Sequence, residues 1–195
     1  WVRCGDPCAA AAASLLRQGD VITNIVTYKE LSRFDKKILS LMADNVYDKQ
    51  VIMLRRTFQA LDLGKTGKLS STDLMEGFRR NDVEFPIEMA NALYDDLDKD
   101  GTGVIAYHDW LAATMGSRIL RSNRATTAAF RCLNASGSGK ISRSELEWAV
   151  GQEEADNVLS DLDLVDDDGC IPYDSFRMLV NQVADRRGGV QEPEA

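Results

Sequence analysis

The sequence predicts an all-α chain built from four copies of one helix–loop–helix unit, and three observations carry that expectation. Four times a glycine stands two residues ahead of an aliphatic residue inside a polar loop, at Gly67/Leu69, Gly103/Ile105, Gly139/Ile141 and Gly169/Ile171, with steps of 36, 36 and 30 residues. A period of this size marks one repeated supersecondary unit. Apolar residues with three-and-four spacing lead into the loops, Val51, Leu54, Phe58 and Leu61 before the first and Phe130 and Leu133 before the third, which is the pattern of a helix with one buried face. Behind the same two loops stand Ser70-x-x-Asp73 and Ser142-x-x-Glu145, signals that start an outgoing helix.

The loop residues identify the unit as the EF-hand. The best copy runs Asp98-Lys-Asp-Gly-Thr-Gly-Val-Ile-Ala-Tyr-His-Asp109. Oxygen ligands at positions 1, 3 and 5 converge on a hard cation, glycine at 6 permits the sharp turn, the carbonyl of 7 adds a ligand, and an acid at 12 closes the shell. The aliphatic residue at 8 has another task. In paired hands it lies on a short antiparallel bridge, which couples Leu69 to Ile105 and Ile141 to Ile171 and gives two lobes.

Each loop offers a different donor set. Loop 2 supplies Asp98, Asp100, Thr102, the Val104 carbonyl and Asp109, and is the best candidate. Its closer is Asp rather than Glu, one methylene short for bidentate closure, so the site drifts toward the six-coordination that suits magnesium. Loop 1 supplies Asp62, Thr66, the Lys68 carbonyl and Asp73, with Gly64 contributing no side chain at position 3. Loop 3 supplies Asn134, Ser136, Ser138, the Lys140 carbonyl and Glu145, a full-length closer around a single negative charge. In loop 4, counting back from Gly169 puts Leu164 at position 1 and Ser175 at position 12. Its aspartates Asp163, Asp166 and Asp168 are therefore out of register, and no ion is expected there. Calcium is the expected ion, with magnesium as its competitor.

About fifty residues precede the first hand. The run Ala9–Ala13 with Leu15 and Leu16 suggests a short helix ending before Gly19 and Asp20. Then Thr27-x-x-Glu30 reads as a capping box, and Leu31, Phe34, Ile38, Leu41 and Met42 form one apolar stripe. Four basic residues, Lys29, Arg33, Lys36 and Lys37, stand against Glu30 and Asp35, so residues 27–43 carry +2 while the remainder carries −10. A basic amphipathic helix on the same chain as an acidic EF-hand body reads as an internal target, with Leu31, Phe34, Ile38 and Leu41 as its groove anchors.

Composition limits the alternatives. The chain has 195 residues, 44% of them hydrophobic, and a net charge of −8, enough apolar matter for real cores and the wrong sign for a nucleic-acid partner. No apolar run reaches the length of a membrane span, and no basic-then-apolar leader opens the sequence. The four cysteines suggest no disulfide framework, so a reducing, cytoplasmic setting is expected. Cys4 and Cys8 lack further zinc ligands nearby, since the one histidine is His108.

With helix, hinge and four hands in this order, the chain resembles the regulatory region of the calcium-dependent protein kinases of plants and protists. Tyr107-His-Asp-Trp-Leu-Ala-Ala-Thr114 is similar to the run that this family carries after its second loop, and Val21–Ile25 and Leu31–Ala43 resemble the segment following its kinase domain. Trp1-Val2 resembles the end of such a kinase domain. The resemblance implies a post-kinase linker over 1–26 and a junction helix over 27–47. It also implies two calmodulin-like lobes over 48–117 and 118–184; the tail over 185–195, with Gly188, Gly189 and Pro193, reads as disordered from its own composition. It implies a regulatory piece of a Ser/Thr kinase, with its own kinase domain and own junction helix as partners. The alternative is a light-chain-like scaffold that holds its helix at any calcium level. No nucleophile–base pairing or phosphate-cradling glycine loop speaks for catalysis in the chain itself.

The remaining expectations are structural. Trp110 and Trp148 follow the closers of loops 2 and 3 and are expected in lobe cores. Met75, Met89, Met115 and Met178 suit either lobe grooves or ordinary core.

Overall fold

In this computed structural model the described residues are 19–45, 49–80, 94, 98, 102–161 and 163–187. Among them are ten helices and four two-residue strands. The chain divides into two compact units, one of Trp1–Lys29 with Tyr47–Met115, the other of Glu30–Val46 with Gly116–Ala195. The amino-terminal segment supplies a helix to each, α1 (Gly19–Lys29) to the first and α2 (Arg33–Asn45) to the second.

In the first unit α1 buries Val21, Asn24, Ile25 and Tyr28, a three-and-four stripe laid on the helix that follows loop 2. Helix α3 (Lys49–Leu61) buries Val51, Leu54, Phe58 and Leu61, then gives way to loop 1, strand β1 (Lys68–Leu69) and helix α4 (Ser71–Arg80). Gly77 makes the α3–α4 packing possible, because a Cβ there would collide with Leu61 Cδ2. Strand β2 (Ile105–Ala106) and helix α5 (Tyr107–Thr114) complete the described part of the unit. Lys68 pairs with Ala106 and Leu69 with Ile105, antiparallel. Asn24 Nδ2 donates to the Thr114 carbonyl at 3.3 Å, satisfying an acceptor that the end of α5 leaves without an intrahelical partner.

The second unit runs α6 (Ser117–Leu120), α7 (Asn123–Leu133), β3 (Lys140–Ile141), α8 (Arg143–Val150), α9 (Gln152–Leu159), β4 (Ile171–Pro172) and α10 (Tyr173–Arg187). Ile141 pairs with Ile171. The core gathers Ala129, Leu133, Leu146, Phe176 and Val180 around α2, which packs on α7, α8, α9 and α10.

An aromatic pair recurs in both units. Phe58, four residues ahead of loop 1, meets Tyr107 of loop 2 edge-on at 5.1 Å. Phe130, four ahead of loop 3, meets Tyr173 of loop 4 in the same manner at 5.2 Å. Such edge-to-face contacts add to the burial of the rings themselves, and here they tie the entry of each odd-numbered hand to the exit of its partner.

Several expectations need correction. The helix expected from Thr27 to residue 47 is two helices, broken over Glu30–Ser32. Thr27 lies inside α1, its hydroxyl donating to the Asn24 carbonyl at 3.1 Å, so it caps nothing. The working cap is one turn later. Asp35 N donates to Ser32 Oγ at 3.0 Å and Ser32 N to Asp35 Oδ2 at 3.4 Å. Leu41 is half-buried, and Leu39 takes its place in the core. Trp110 is fully buried, whereas Trp148 is 83% exposed on α8. Of the methionines, Met115 is core, Met75 and Met178 are exposed, and Met89 lies outside the described residues. Asp185–Arg187, expected in a disordered tail, continue α10, and Arg187 is buried. The alanine-rich helix over 9–16, Cys4 and Cys8 lie outside the described residues.

Candidate metal centres and the helix seat

All four loop glycines at position 6 stand at positive φ, 76° at Gly67, 75° at Gly103, 86° at Gly139 and 71° at Gly169. That left-handed turn is costly for any residue with a Cβ. It sets the register of every loop, and in the fourth it corrects the expectation that all three aspartates are out of register: counted from Leu164 at position 1, Asp166 and Asp168 occupy positions 3 and 5, and Asp163 alone falls outside.

In loop 2 the donors at positions 1, 5 and 7 converge. Asp98 Oδ1 accepts from Thr102 N at 2.8 Å and Thr102 Oγ1 at 3.1 Å, and Oδ2 accepts from Gly103 N at 2.7 Å. Thr102 Oγ1 also lies 3.3 Å from the Val104 carbonyl, so positions 1, 5 and 7 gather their oxygens at one point. Burial pushes the Asp98 carboxyl up, but the hydrogen bonds from Gly103 and Thr102 outweigh it and hold the acid below its usual range. Asp109 sits in the first turn of α5, and Asp100 lies outside the described residues. This is an all-oxygen donor set, the chemistry a hard divalent ion takes.

Loop 1 repeats the pattern, with Asp62 accepting from Thr66 N at 2.9 Å and Gly67 N at 2.7 Å, and Thr66 Oγ1 donating to the Lys68 carbonyl at 3.0 Å. Asp73 is engaged in the capping box of α4, its Oδ2 accepting from Ser70 N at 3.0 Å and Ser70 Oγ at 2.6 Å. Loop 3 differs at the closer. Glu145 Oε2 takes the same capping bonds from Ser142 N and Oγ, each 2.8 Å, while Oε1 reaches across the loop to Ser136 N at 2.8 Å. Burial alone would raise this carboxyl; the bonds from Ser136 and Ser142 win and bring it to about 2. Asn134 Oδ1 gathers Ser138 N at 3.1 Å and the hydroxyls of Ser136 and Ser138, both at 3.2 Å. Among the described residues no three His, Cys, Asp or Glu side chains cluster as a metal site, so any ion here leans on hydroxyl and carbonyl oxygens as well.

Loop 4 does not fit a divalent ion. Leu164 at position 1 is buried and offers no oxygen from its side chain. Asp166 Oδ1 is taken by Asp168 N and Cys170 N, both at 3.0 Å.

The seat of α2 combines packing with polar fixing. Phe34, Ile38, Leu39, Met42 and Ala43 are all 1% exposed or less, and Leu31 is buried just ahead of the helix. Glu154 of α9 accepts from Phe34 N at 3.0 Å, taking one of the four donors that a helix start leaves open. Arg186 of α10 lies 3.5 Å from Asp35. Burial pushes the Asp35 carboxyl up, against the bonds from Ser32 and the charge of Arg186. Ser32-x-x-Asp35 was legible as a capping signal ahead of an apolar run; the reach of Glu154 from 120 residues away was not.

A family model described as an EF-hand domain pair matches residues 53–115. The chain is 29% identical over 179 residues to calcium-dependent protein kinase 33 of Arabidopsis thaliana, covering 89% of this chain and 33% of that protein. It is 28% identical to calcium-dependent protein kinase 21 of Oryza sativa subsp. japonica, covering 87% and 30%. To calcium-dependent protein kinase 5 of Plasmodium falciparum it is 27% identical, covering 84% and 30%. It thus spans about a third of the length of the curated relatives it matches. These matches support its reading as the EF-hand regulatory region of such a kinase. No helix among the described residues is long and apolar enough to cross a membrane.

Proposed function

We propose that this chain is a calcium-responsive regulatory module that controls a Ser/Thr kinase domain by holding or releasing the α2 helix. The observation that carries the reading is the seat of α2, whose apolar face is buried among EF-hand helices and whose first turn is fixed by Glu154 and Arg186. A ligand that binds one arrangement of the lobe better than another shifts the helix between partners by that difference in affinity. The partners are the chain's own helix and its kinase domain.

Loop 2 is the principal ion site, with Asp98, Asp100, Thr102, the Val104 carbonyl and Asp109, and loops 1 and 3 are secondary. Charge count and reach set affinity in such sites, and loop 2 has three aspartates against two in loop 1 and one carboxylate in loop 3. The response is accordingly weak or partial, with magnesium competing where the closer is Asp. Calorimetric titration of the metal-free chain with calcium, with and without magnesium, tests this. Asp98→Ala should remove the tightest binding event. Survival of that event, together with its loss on Glu145→Ala, would reverse the ranking. A chain with no calcium event at all is the light-chain-like scaffold, a reading favoured by the hydrogen bonds with which loop 3 closes on itself.

A further inference from the structure

The fourth loop holds two carboxylates at ligand positions yet lacks an acid at both ends, and a side chain of its neighbour fills the gap. Lys140, from strand β3 of the paired loop, places Nζ 2.6 Å from Asp166 Oδ2 and 2.8 Å from Asp168 Oδ2. We propose that the Lys140 ammonium is the resident cation of the fourth loop, closing that hand without a divalent metal.

The geometry is specific to the pair. Asp166 stands at position 3 and Asp168 at position 5, the places from which an EF-hand loop directs two oxygens at its ion. Asp166 divides its oxygens, Oδ1 accepting the amides of Asp168 and Cys170 at 3.0 Å and Oδ2 facing the ammonium. The loop backbone and the cation are thereby joined through one carboxylate. The β3–β4 pairing of Lys140 with Pro172 and Ile141 with Ile171 supplies the lysine from directly across the bridge. Leu164, at position 1, is buried as a core residue, so the loop has exchanged an ion ligand for packing. Lys140 thus serves two loops, its carbonyl accepting from Ser138 Oγ at 2.8 Å in loop 3 and its ammonium neutralising loop 4. Hand 4 then keeps its closed form at every calcium level, and the second unit has one loop, the third, left to respond.

Two measurements on the full chain decide the matter. In chelator, with no divalent ion present, Lys140→Met should speed amide exchange at Asp168 and Cys170 about fivefold, the scale set by one surface ion-pair interaction. Lys140→Arg should restore part of the protection. Because Lys140 is half-exposed, the methionine variant keeps the core intact. Exchange within twofold of the unaltered chain would overturn the proposal. In the second measurement, Asp166→Asn with Asp168→Asn should leave the number of calcium-binding events unchanged by calorimetry; loss of an event would show that metal, not ammonium, occupies the loop. The first measurement uses no calcium, so it stands or falls apart from the calcium-sensing reading of loops 1 to 3.

Discussion

Loops 1 and 3 hold equivalent places in their units, and they divide between them the two properties an ion site needs. Loop 1 has the charge, with carboxylates at positions 1 and 12, but Asp73 is occupied by the Ser70 cap. Loop 3 has the reach. Glu145 spans from the Ser142 cap to the amide of position 3, yet Asn134 at position 1 brings no charge. One methylene decides whether the twelfth residue serves only its own helix or also closes the loop. The two units differ in the same spirit in what they carry from the amino-terminal segment. The first holds α1 against α5, and the second surrounds α2 with four helices.

The largest effect expected from breaking this comparison lies at the α2 seat. Phe34→Ala and Ile38→Ala each remove a side chain that is 1% exposed, and truncations of this kind cost about 3–5 and 2–5 kcal/mol. The double variant should release α2, with amide exchange across residues 33–45 approaching that of an unprotected helix. Lys36→Ala with Lys37→Ala should change the same exchange far less, since surface ion pairs contribute about 0–1 kcal/mol. Equal exchange in both double variants and the unaltered chain would mean that the seat is not what protects the helix.

A smaller effect tests the closer of loop 3 by pH. In chelator, Glu145 sits at about 2 against an ordinary 4.5. A carboxyl whose folded pKa is depressed contributes stability that is present above its unfolded value and lost as pH falls through the folded one. The second unit should therefore lose stability between about pH 4.5 and 2, and Glu145→Gln should flatten that slope in an acid titration followed by circular dichroism. If the slope is the same in the Glu145→Gln chain, the bonds from Ser136 and Ser142 do not hold this carboxyl down in solution.

Much of this fold was legible because glycine at positive φ and period-3.6 apolar spacing are local rules. The four position-6 glycines, the two bridges and the boxes at Ser70 and Ser142 all stand where the residues place them. Helix α1 is harder to read from sequence, because Asn24 interrupts the apolar stripe of Val21, Ile25 and Tyr28 with a polar residue in the buried face. The polar partners of α2 were not legible. Glu154 and Arg186 come from elements more than a hundred residues distant, and nothing in their own surroundings marks them. The sequence assigns Lys140 to loop 3 through its carbonyl alone, because the position rule for loop ligands says nothing about where a side chain at position 7 points.

The smallest effect concerns the two tryptophans, which sequence position alone had made equivalent. Trp110 begins the buried face of α5 and is fully enclosed, while Trp148 on α8 is 83% exposed. The difference arises from where each falls on its helix. Trp110 directly follows the closer Asp109, whereas Trp148 stands three residues after Glu145 and two after Leu146, the buried residue of α8. Two steps along a helix of 3.6 residues per turn rotate a side chain to nearly the opposite face. Trp148→Ala should therefore change stability by about 0.5 kcal/mol or less, since it removes few contacts and introduces a better helix former. Trp110→Ala should cost about 3–5 kcal/mol. Denaturant midpoints of the two variants test the pair. A Trp148→Ala loss approaching that of Trp110→Ala would place its ring in a packed interface and sink the assignment of α8's outer face to solvent.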